Sequence, residues 1–436
     1  MYKEEQLTSL LCGRRILIAG YGREGKSTER LVKGLLPHAD ITIVEGNDNI
    51  RGEATRGYDM IIKSPGIPMF VFEAGNGEWL CSPDHITSQT DLFLQVYGSQ
   101  TVGITGTKGK STTTTLLYSI LRKAAEEKLE GTEVLLAGNM GIPLFDIIPQ
   151  IDGNTTIVAE FSCHQLENIH RAPHTAILLN LFQEHLDHYH SYLDYKMAKM
   201  QIALKQRSGD YFFYCADNAE LAELVELHRG EMAGHVSPYT LSSELGTRLK
   251  TLPSQLCGDH NISNMEAAYL AARSLGVNEQ VVFDTIAAFK GLEHRMELVG
   301  TYAGVTFYND SISTIPAACM AAVAALKEVD TLILGGFDRG IDYEELGRFL
   351  AHCPIRNLVF VGAAGGRICE AYEKAKGTGR NTLRKNDYTA IVEWCFAHTQ
   401  KGKICLLSPA AASYDAFKNF EERGRVFKQL VSSYHS

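Results

Sequence analysis

The sequence predicts an α/β protein with parallel sheets. Short apolar runs recur along the chain, each ending in glycine or a polar residue and each followed by a helical pattern: RILIAG, ITIVEG, YDMIIKSPG, TVGITG, TIVAEFS, TAILLNL, TLILGG, NLVFVG and ICLLSP. Alternation of that kind needs crossover helices between parallel strands. Two of the runs lead into glycine-rich loops, GYGREGKST and GTKGKST, as strand-to-helix turns that meet anions do. The length of 436 residues, 45% of them hydrophobic, gives room for about three domains.

The elements fall into three blocks. Residues 1–97 hold the first glycine-rich loop, 98–292 open on TVGITGTKGKST, and 293–436 open near GLEHRMEL with a new set of strands. The formal charge of −9 argues against a general nucleic-acid or membrane-surface binder, so an anionic ligand must meet a local cluster of Lys, Arg and loop amides. Ten cysteines are scattered without a C-x-x-C pair, which suggests neither a zinc ribbon nor a disulfide framework and fits a reducing cytoplasm. MYKEEQL has no basic-then-apolar leader, and AACMAAVAAL at 317–326 is too short to span a bilayer. Export and membrane insertion are therefore not expected.

The first loop fits both the G-x-G-x-x-G spacing of a dinucleotide site and the G-x-x-x-x-G-K-S of a Walker loop. Glu45 follows at a strand end 25 residues beyond Gly20, where an acidic residue would meet a ribose or sugar hydroxyl. The second loop is followed by the hydroxyl-rich STTTT, and later strands end in Glu160 and in the cluster around His185. Those are hard-ion ligands at strand ends, so ATP is expected at 106–112, with Lys110 on the β- and γ-phosphates and Ser111 on Mg²⁺. A plain tight turn remains an alternative at either loop, and a nicotinamide site at the first.

GITGTKGKST, AGNMGIP, AEFSCHQLE, ILLNLFQEHLDHY, GDHNISN, GLEHRMELV, YNDSIST and LLSPAAASYDAFKNFEERG, in that order and spacing, resemble the Mur ligases of peptidoglycan synthesis over nearly the whole chain. The central set is shared with folylpolyglutamate synthetases; the C-terminal run is specific to the glutamate-adding branch. The resemblance implies a Rossmann-like N-terminal domain for UDP, a P-loop ATPase-like central domain and a Rossmann-like C-terminal domain for the amino acid. It makes GYGREGKST a UDP-diphosphate loop, formed by Gly20, Gly22, Arg23, Glu24, Gly25, Lys26 and Ser27. Glu45, Ser64 and Gly66 would line the UDP site, and Asn139 and Ser162 would lie near the sugar nucleotide.

The resemblance implies ATP on Gly106, Thr107, Lys108, Gly109, Lys110, Ser111 and Thr112, with adenine and ribose on Asn264, Arg295 and Asp310. Lys110, Glu160, His185 and Lys199 form the implied catalytic set. Ser111 and Glu160 would hold a first Mg²⁺, and His185 with Lys199 a second, Mn²⁺ being a substitute; Lys199 would act as the carbamate formed with CO₂. Thr314, Ser413 and Phe420 would grip glutamate, with Arg339 standing in for a family lysine. Blander readings compete: a zinc site or polar helix start for EHLDHYH, a solvated lysine for Lys199 with Lys196 as rival, an ion-pair partner for Arg295, and a helix N-cap for Asp310.

The match departs from the common pattern where a lysine is replaced by Ile312, where Arg339 replaces another, and at Lys108, where asparagine is frequent. Ile312 and Arg339 leave the glutamate enantiomer open, D-glutamate being the default and L-glutamate the variant. The implied activity is ATP-dependent ligation of glutamate to UDP-N-acetylmuramoyl-L-alanine by a cytoplasmic monomer. A nicotinamide oxidoreductase built on residues 20–25, or a protein that only senses UDP-sugars, would be the rival from another class. Closure is expected, because the resemblance puts catalytic groups on separate domains.

Overall fold

In the computed structural model the described residues are 3–127, 132–140, 142–184, 187–256 and 258–434. The chain divides into two compact units, Met1–Phe289 and Lys290–Ser436. No helix among the described residues is long and apolar enough to cross a membrane.

The first unit holds two sheets. Strands β1 (Arg15–Ala19), β2 (Asp40–Val44), β3 (Met60–Lys63) and β4 (Ile86–Ser88) form a parallel sheet of order β2-β1-β3-β4. Strands β5 (Thr101–Thr105), β6 (Val134–Gly138), β7 (Thr156–Glu160), β8 (Thr175–Leu178), β9 (Tyr211–Cys215) and β10 (His235–Tyr239) form a second parallel sheet, ordered β10-β9-β8-β5-β7-β6. The central strand β5 is buried at every position, as a strand covered by helices on both faces must be. Pro238, which has no N–H to donate, sits on the edge strand β10.

The second unit contains β11 (Glu297–Tyr302), β12 (Val305–Asn309), β13 (Val329–Gly335), β14 (Asn357–Val361), β15 (Asn381–Arg384) and β16 (Ile404–Leu407), in the order β11-β12-β16-β13-β14-β15. Here β11 and β12 pair antiparallel, the one departure from parallel pairing among the described ladders. The two-residue connection Ala303-Gly304 explains it: both residues have positive φ, as a tight hairpin requires.

Each sheet reverses its strand order once, and ligands of such sheets bind outside the strand ends at that reversal. In the first sheet this brings together the loops after β1 and β3, in the second those after β5, β7 and β8, and in the third those after β12, β13 and β16. Seven of the nine apolar runs, those of β1, β3, β5, β7, β8, β13 and β16, end at these places.

Candidate active site

Gly20, Tyr21, Gly22, Arg23, Glu24, Glu45, Gly46, Ser64, Pro65 and Gly66 line a cavity of about 430 Å³ at the first reversal. Gly20, at φ +90, permits the sharp turn, and a Cβ there would lie 2.9 Å from that of Ser64. The Ser64 hydroxyl donates to the Gly20 carbonyl at 2.9 Å, tying the two loops. Gly25 is buried for packing: its Cβ would fall 2.2 Å from the Gly20 oxygen. Ser27 points away and donates to Asp146 at 2.8 Å, while exposed Lys26 lies over the Tyr21 ring at 5.6 Å. Glu24 accepts from Gln165 at 2.8 Å, and burial pushes its carboxyl above the usual range against that bond.

At the second reversal the helix Lys110–Glu127 opens on its lysine. Lys110 Nζ donates to the carbonyls of Gly106 and Thr107, at 3.0 Å each. Buried Lys199, from the helix Tyr192–Leu204, donates to the same Gly106 carbonyl at 2.9 Å. Two ammonium groups thus converge on one oxygen of the loop. Burial pushes the Lys110 ammonium down, partly offset by Glu160 and Glu184, and pushes Lys199 down to about 8, with the Lys110 charge adding to that shift. Lys108 is exposed and pairs with Glu184. Gly109, at φ +86, lets the loop press on Asn264: a Cβ there would lie 2.3 Å from its side-chain oxygen. Thr112 is buried in the first helical turn, and Ser111 is partly exposed there.

Glu160 ends β7, in register with Ile104 of β5. It is buried; Oε1 accepts from Asn139 Nδ2 at 2.8 Å, and Oε2 has no hydrogen-bond partner. A buried carboxylate oxygen left over beside a phosphate-type loop, with the Ser111 hydroxyl at the helix start, fits a hard, oxygen-seeking cation. Asn139 and Ser162 gather here and do not line the cavity of the first sheet; Ser162 forms a capping box with Gln165. His185 lies outside the described residues. Lys196, the rival of Lys199, pairs with Glu220 at 3.0 Å.

In the second unit, exposed Arg295 stands between His294 (φ +63) and Met296 (φ +46), two non-glycine residues in the left-handed region. Asp310 is buried, accepts from Ser408 Oγ at 2.7 Å and from the Met296 amide at 3.2 Å, and burial pushes its carboxyl up. It is no helix N-cap, since the next helix starts at Pro316 after Ile315. Arg339 donates to the Thr314 carbonyl at 3.0 Å, Ser413 is buried after β16, Phe420 opens the last helix, and the Ile312 amide donates to the His294 carbonyl at 3.1 Å.

Residues unforeseen from sequence hold these loops. Asn180 Oδ1 accepts from the Thr107 and Lys108 amides at 3.1 and 2.8 Å, and Thr107 Oγ1 meets the Tyr195 hydroxyl at 2.7 Å. Buried Lys63 and Glu167 form an ion pair at 2.5 Å, with His188 on the other Glu167 oxygen at 3.3 Å. Burial works to raise the Glu167 carboxyl, but the Lys63 charge and the His188 bond more than offset it and hold it low. The only signals were a lysine and an asparagine at the ends of the runs MIIK and ILLN.

The profile of the Mur ligase middle domain matches residues 104–272, and that of the Mur ligase glutamate ligase domain matches 294–411. A UDP-N-acetylmuramoylalanine--D-glutamate ligase of Desulfitobacterium hafniense is 32% identical over 97% of this chain and 98% of its own. A protein of the same name from Latilactobacillus sakei is 32% identical over 95% and 96%. The solved UDP-N-acetylmuramate-alanine ligase of Thermotoga maritima shares the fold at a TM-score of 0.57 and 16% identity, covering 97% of this chain and 100% of that one. The MurF ligase of the same organism, solved with ADP, gives 0.54 and 17%, over 89% and 92%. With relatives matching it almost end to end and both domain profiles in order, the chain belongs to the Mur ligase family.

Proposed function

We propose that the chain is an ATP-dependent amide ligase that adds glutamate, in its D form, to UDP-N-acetylmuramoyl-L-alanine, working as a monomer in the cytoplasm. The observation that carries this reading is the meeting of Lys110 and Lys199 on the Gly106 carbonyl near half-satisfied Glu160, in a chain of this family.

Joining an amine to a carboxylate in water is uphill, so the carboxylate is first phosphorylated and the amine then displaces phosphate. Both steps bring anions together, and positive groups must offset their repulsion. Lys110 holds the β- and γ-phosphates, and the loop Gly106–Thr112 wraps them at the helix start, with its Thr107 and Lys108 amides held by Asn180. Asn264, against the loop at Gly109, serves the adenosine. Ser111 and Glu160 would hold one Mg²⁺, and His185 with carbamylated Lys199 a second, Mn²⁺ being able to replace either. When bound, these ions would neutralise charge on the transferring phosphoryl group. Lys199 suits carbamylation, because CO₂ adds to a neutral amine and a value of about 8 leaves part of the group neutral near physiological pH. The cavity lined by Gly20, Arg23, Glu45 and Ser64 takes the UDP portion, and Thr314, Arg339, Ser413 and Phe420 the glutamate. A guanidinium at 339 can grip a carboxylate with two parallel bonds, which a lysine cannot.

The test is phosphate release from ATP in the presence of UDP-N-acetylmuramoyl-L-alanine and each glutamate enantiomer in turn. Release that depends on D-glutamate is expected. Release with the L form alone would reassign the enantiomer, and release with neither would overturn the proposal. The relatives reported above carry no oxidoreductase name, and tight NADH binding without phosphate release would be needed to restore that rival.

A further inference from the structure

Arg423 is 1% exposed, at the fourth position of the helix Phe420–Ser433. Its Nε donates to Ser311 Oγ at 2.9 Å, and Nη2 donates to the Ser311 carbonyl at 2.8 Å and the Ala411 carbonyl at 3.1 Å. Nη1 donates to the carbonyls of Ala411 and Ala412, at 3.1 Å each. Every one of these acceptors is a neutral oxygen. A cation buried on such partners is costly unless the geometry is well satisfied, and here its whole fork is engaged.

What those oxygens belong to gives the arrangement its meaning. Ser311 begins the segment that leads to Thr314, and its hydroxyl donates to the Phe420 carbonyl at 2.8 Å. Ala411 and Ala412 run straight into Ser413. The Ala412 carbonyl also accepts from the Phe337 amide at 2.9 Å, two residues before Arg339. Gly336, at φ +140, allows that approach: its Cβ would sit 2.2 Å from the Ala412 oxygen and 3.1 Å from Arg423 Nη1. The segments bearing Thr314, Arg339, Ser413 and Phe420 therefore meet at one side chain.

The next residue in the chain touches a different loop. A Cβ on Gly424 would lie 2.2 Å from His294 Nδ1 and 2.9 Å from Asn309 Nδ2. His294 and Met296 hold their left-handed conformations on either side of Arg295, with the His294 amide bound to Glu297 at 2.9 Å and the Met296 amide to Asp310 at 3.2 Å. Gly424 is the space that this strained loop needs.

We infer that Arg423 is the positioning residue of the amino-acid pocket, while Gly424 beside it leaves room for the turn at His294. The inference rests on the glutamate-ligase reading above. Lysine cannot replace Arg423, because a point charge with three donors cannot span three carbonyls and a hydroxyl as the planar fork does.

The experiment is steady-state phosphate release by the full chain, with glutamate and ATP varied separately. Arg423→Lys should raise KM for glutamate about 10- to 100-fold while KM for ATP stays within about 2-fold. If Arg423→Lys does not fold, Ser311→Ala is read the same way and should give a smaller rise for glutamate. Equal rises in both KM values, or no rise for glutamate, would overturn the inference while a glutamate-dependent wild type keeps the ligase reading intact. A wild type without glutamate-dependent release overturns both.

Discussion

Two loops of the first unit share the letters GKST and use them differently, because the helix begins at a different place in each. The helix Arg23–Leu35 opens three residues before Lys26, whereas Lys110–Glu127 opens on its lysine. That offset turns Lys26 out over Tyr21 and buries Ser27 against Asp146, while Lys110 folds back over the carbonyls of its own loop. A short motif therefore fixes which donors are available near an anion. What the helix packs against decides where they point.

The largest effect should come from breaking the second loop. Lys110→Ala removes the cation aimed at the phosphates and should lower kcat by about 10²- to 10³-fold in the phosphate-release assay. Lys26→Ala should act far more weakly on kcat and show itself in KM for the sugar nucleotide. Matching losses of kcat in the two variants would erase the contrast between the loops.

Lys199 sharpens the same contrast, since the first loop has no second lysine bonded to its carbonyl among the described residues. Lys199→Ala should lose most activity and regain part of it with a small carboxylate such as formate; full activity without that addition would remove the carbamate. The pH dependence follows from a value of about 8, lowered from 10.5 by burial. CO₂ reacts with the neutral amine, so CO₂-dependent activation should fall as pH drops below about 8, by roughly tenfold per unit once the ammonium dominates. Activation that rises on acidification would contradict this.

The glycines give a smaller, thermal version of the comparison. Gly109→Ala meets both a positive φ and the Asn264 oxygen at 2.3 Å, and should cost about 1–3 kcal/mol of stability. Gly22 has φ −72 and nothing within 4 Å of an added Cβ, so Gly22→Ala should change the melting stability by no more than about 0.5 kcal/mol. If Gly22→Ala nevertheless weakens sugar-nucleotide binding, a ligand approaches that backbone closely.

The same contrast shows what could be read from the chain. Apolar runs ending in glycine or a polar residue marked nine strands, from β1 to β16; eight of them are largely buried, which leaves a continuous hydrophobic signature, and the edge strand β2 was marked by its apolar ITIV alone. Strands such as HVSPY and NTLR on sheet edges lack that signature and went unmarked. Glu160 and Lys110 were legible because strand ends and helix starts are local features. Asn180, Tyr195 and Arg423 were not, since each earns its role by reaching a segment remote in sequence: 73, 88 and 112 residues away for the bonds to Thr107 and Ser311.

A comparably small effect concerns Ser27, the first loop's counterpart of Ser111. Its hydroxyl is buried and donates to Asp146, which also receives two bonds from Arg30 at 2.9 and 2.8 Å. Ser27→Ala leaves Asp146 with Arg30, so no acceptor is stranded and the cost should sit near the low end of about 0.5–1.5 kcal/mol. Arg30→Ala removes a side chain that is 61% exposed, whose ion pair is worth about 0–1 kcal/mol and weakens with salt. Urea unfolding at low and high salt separates the two: the Ser27 cost should persist when the Arg30 cost fades. If both fade together, the Ser27 bond works only through the ion pair, and the serine of the first loop is placed by charge and not by the register of its helix.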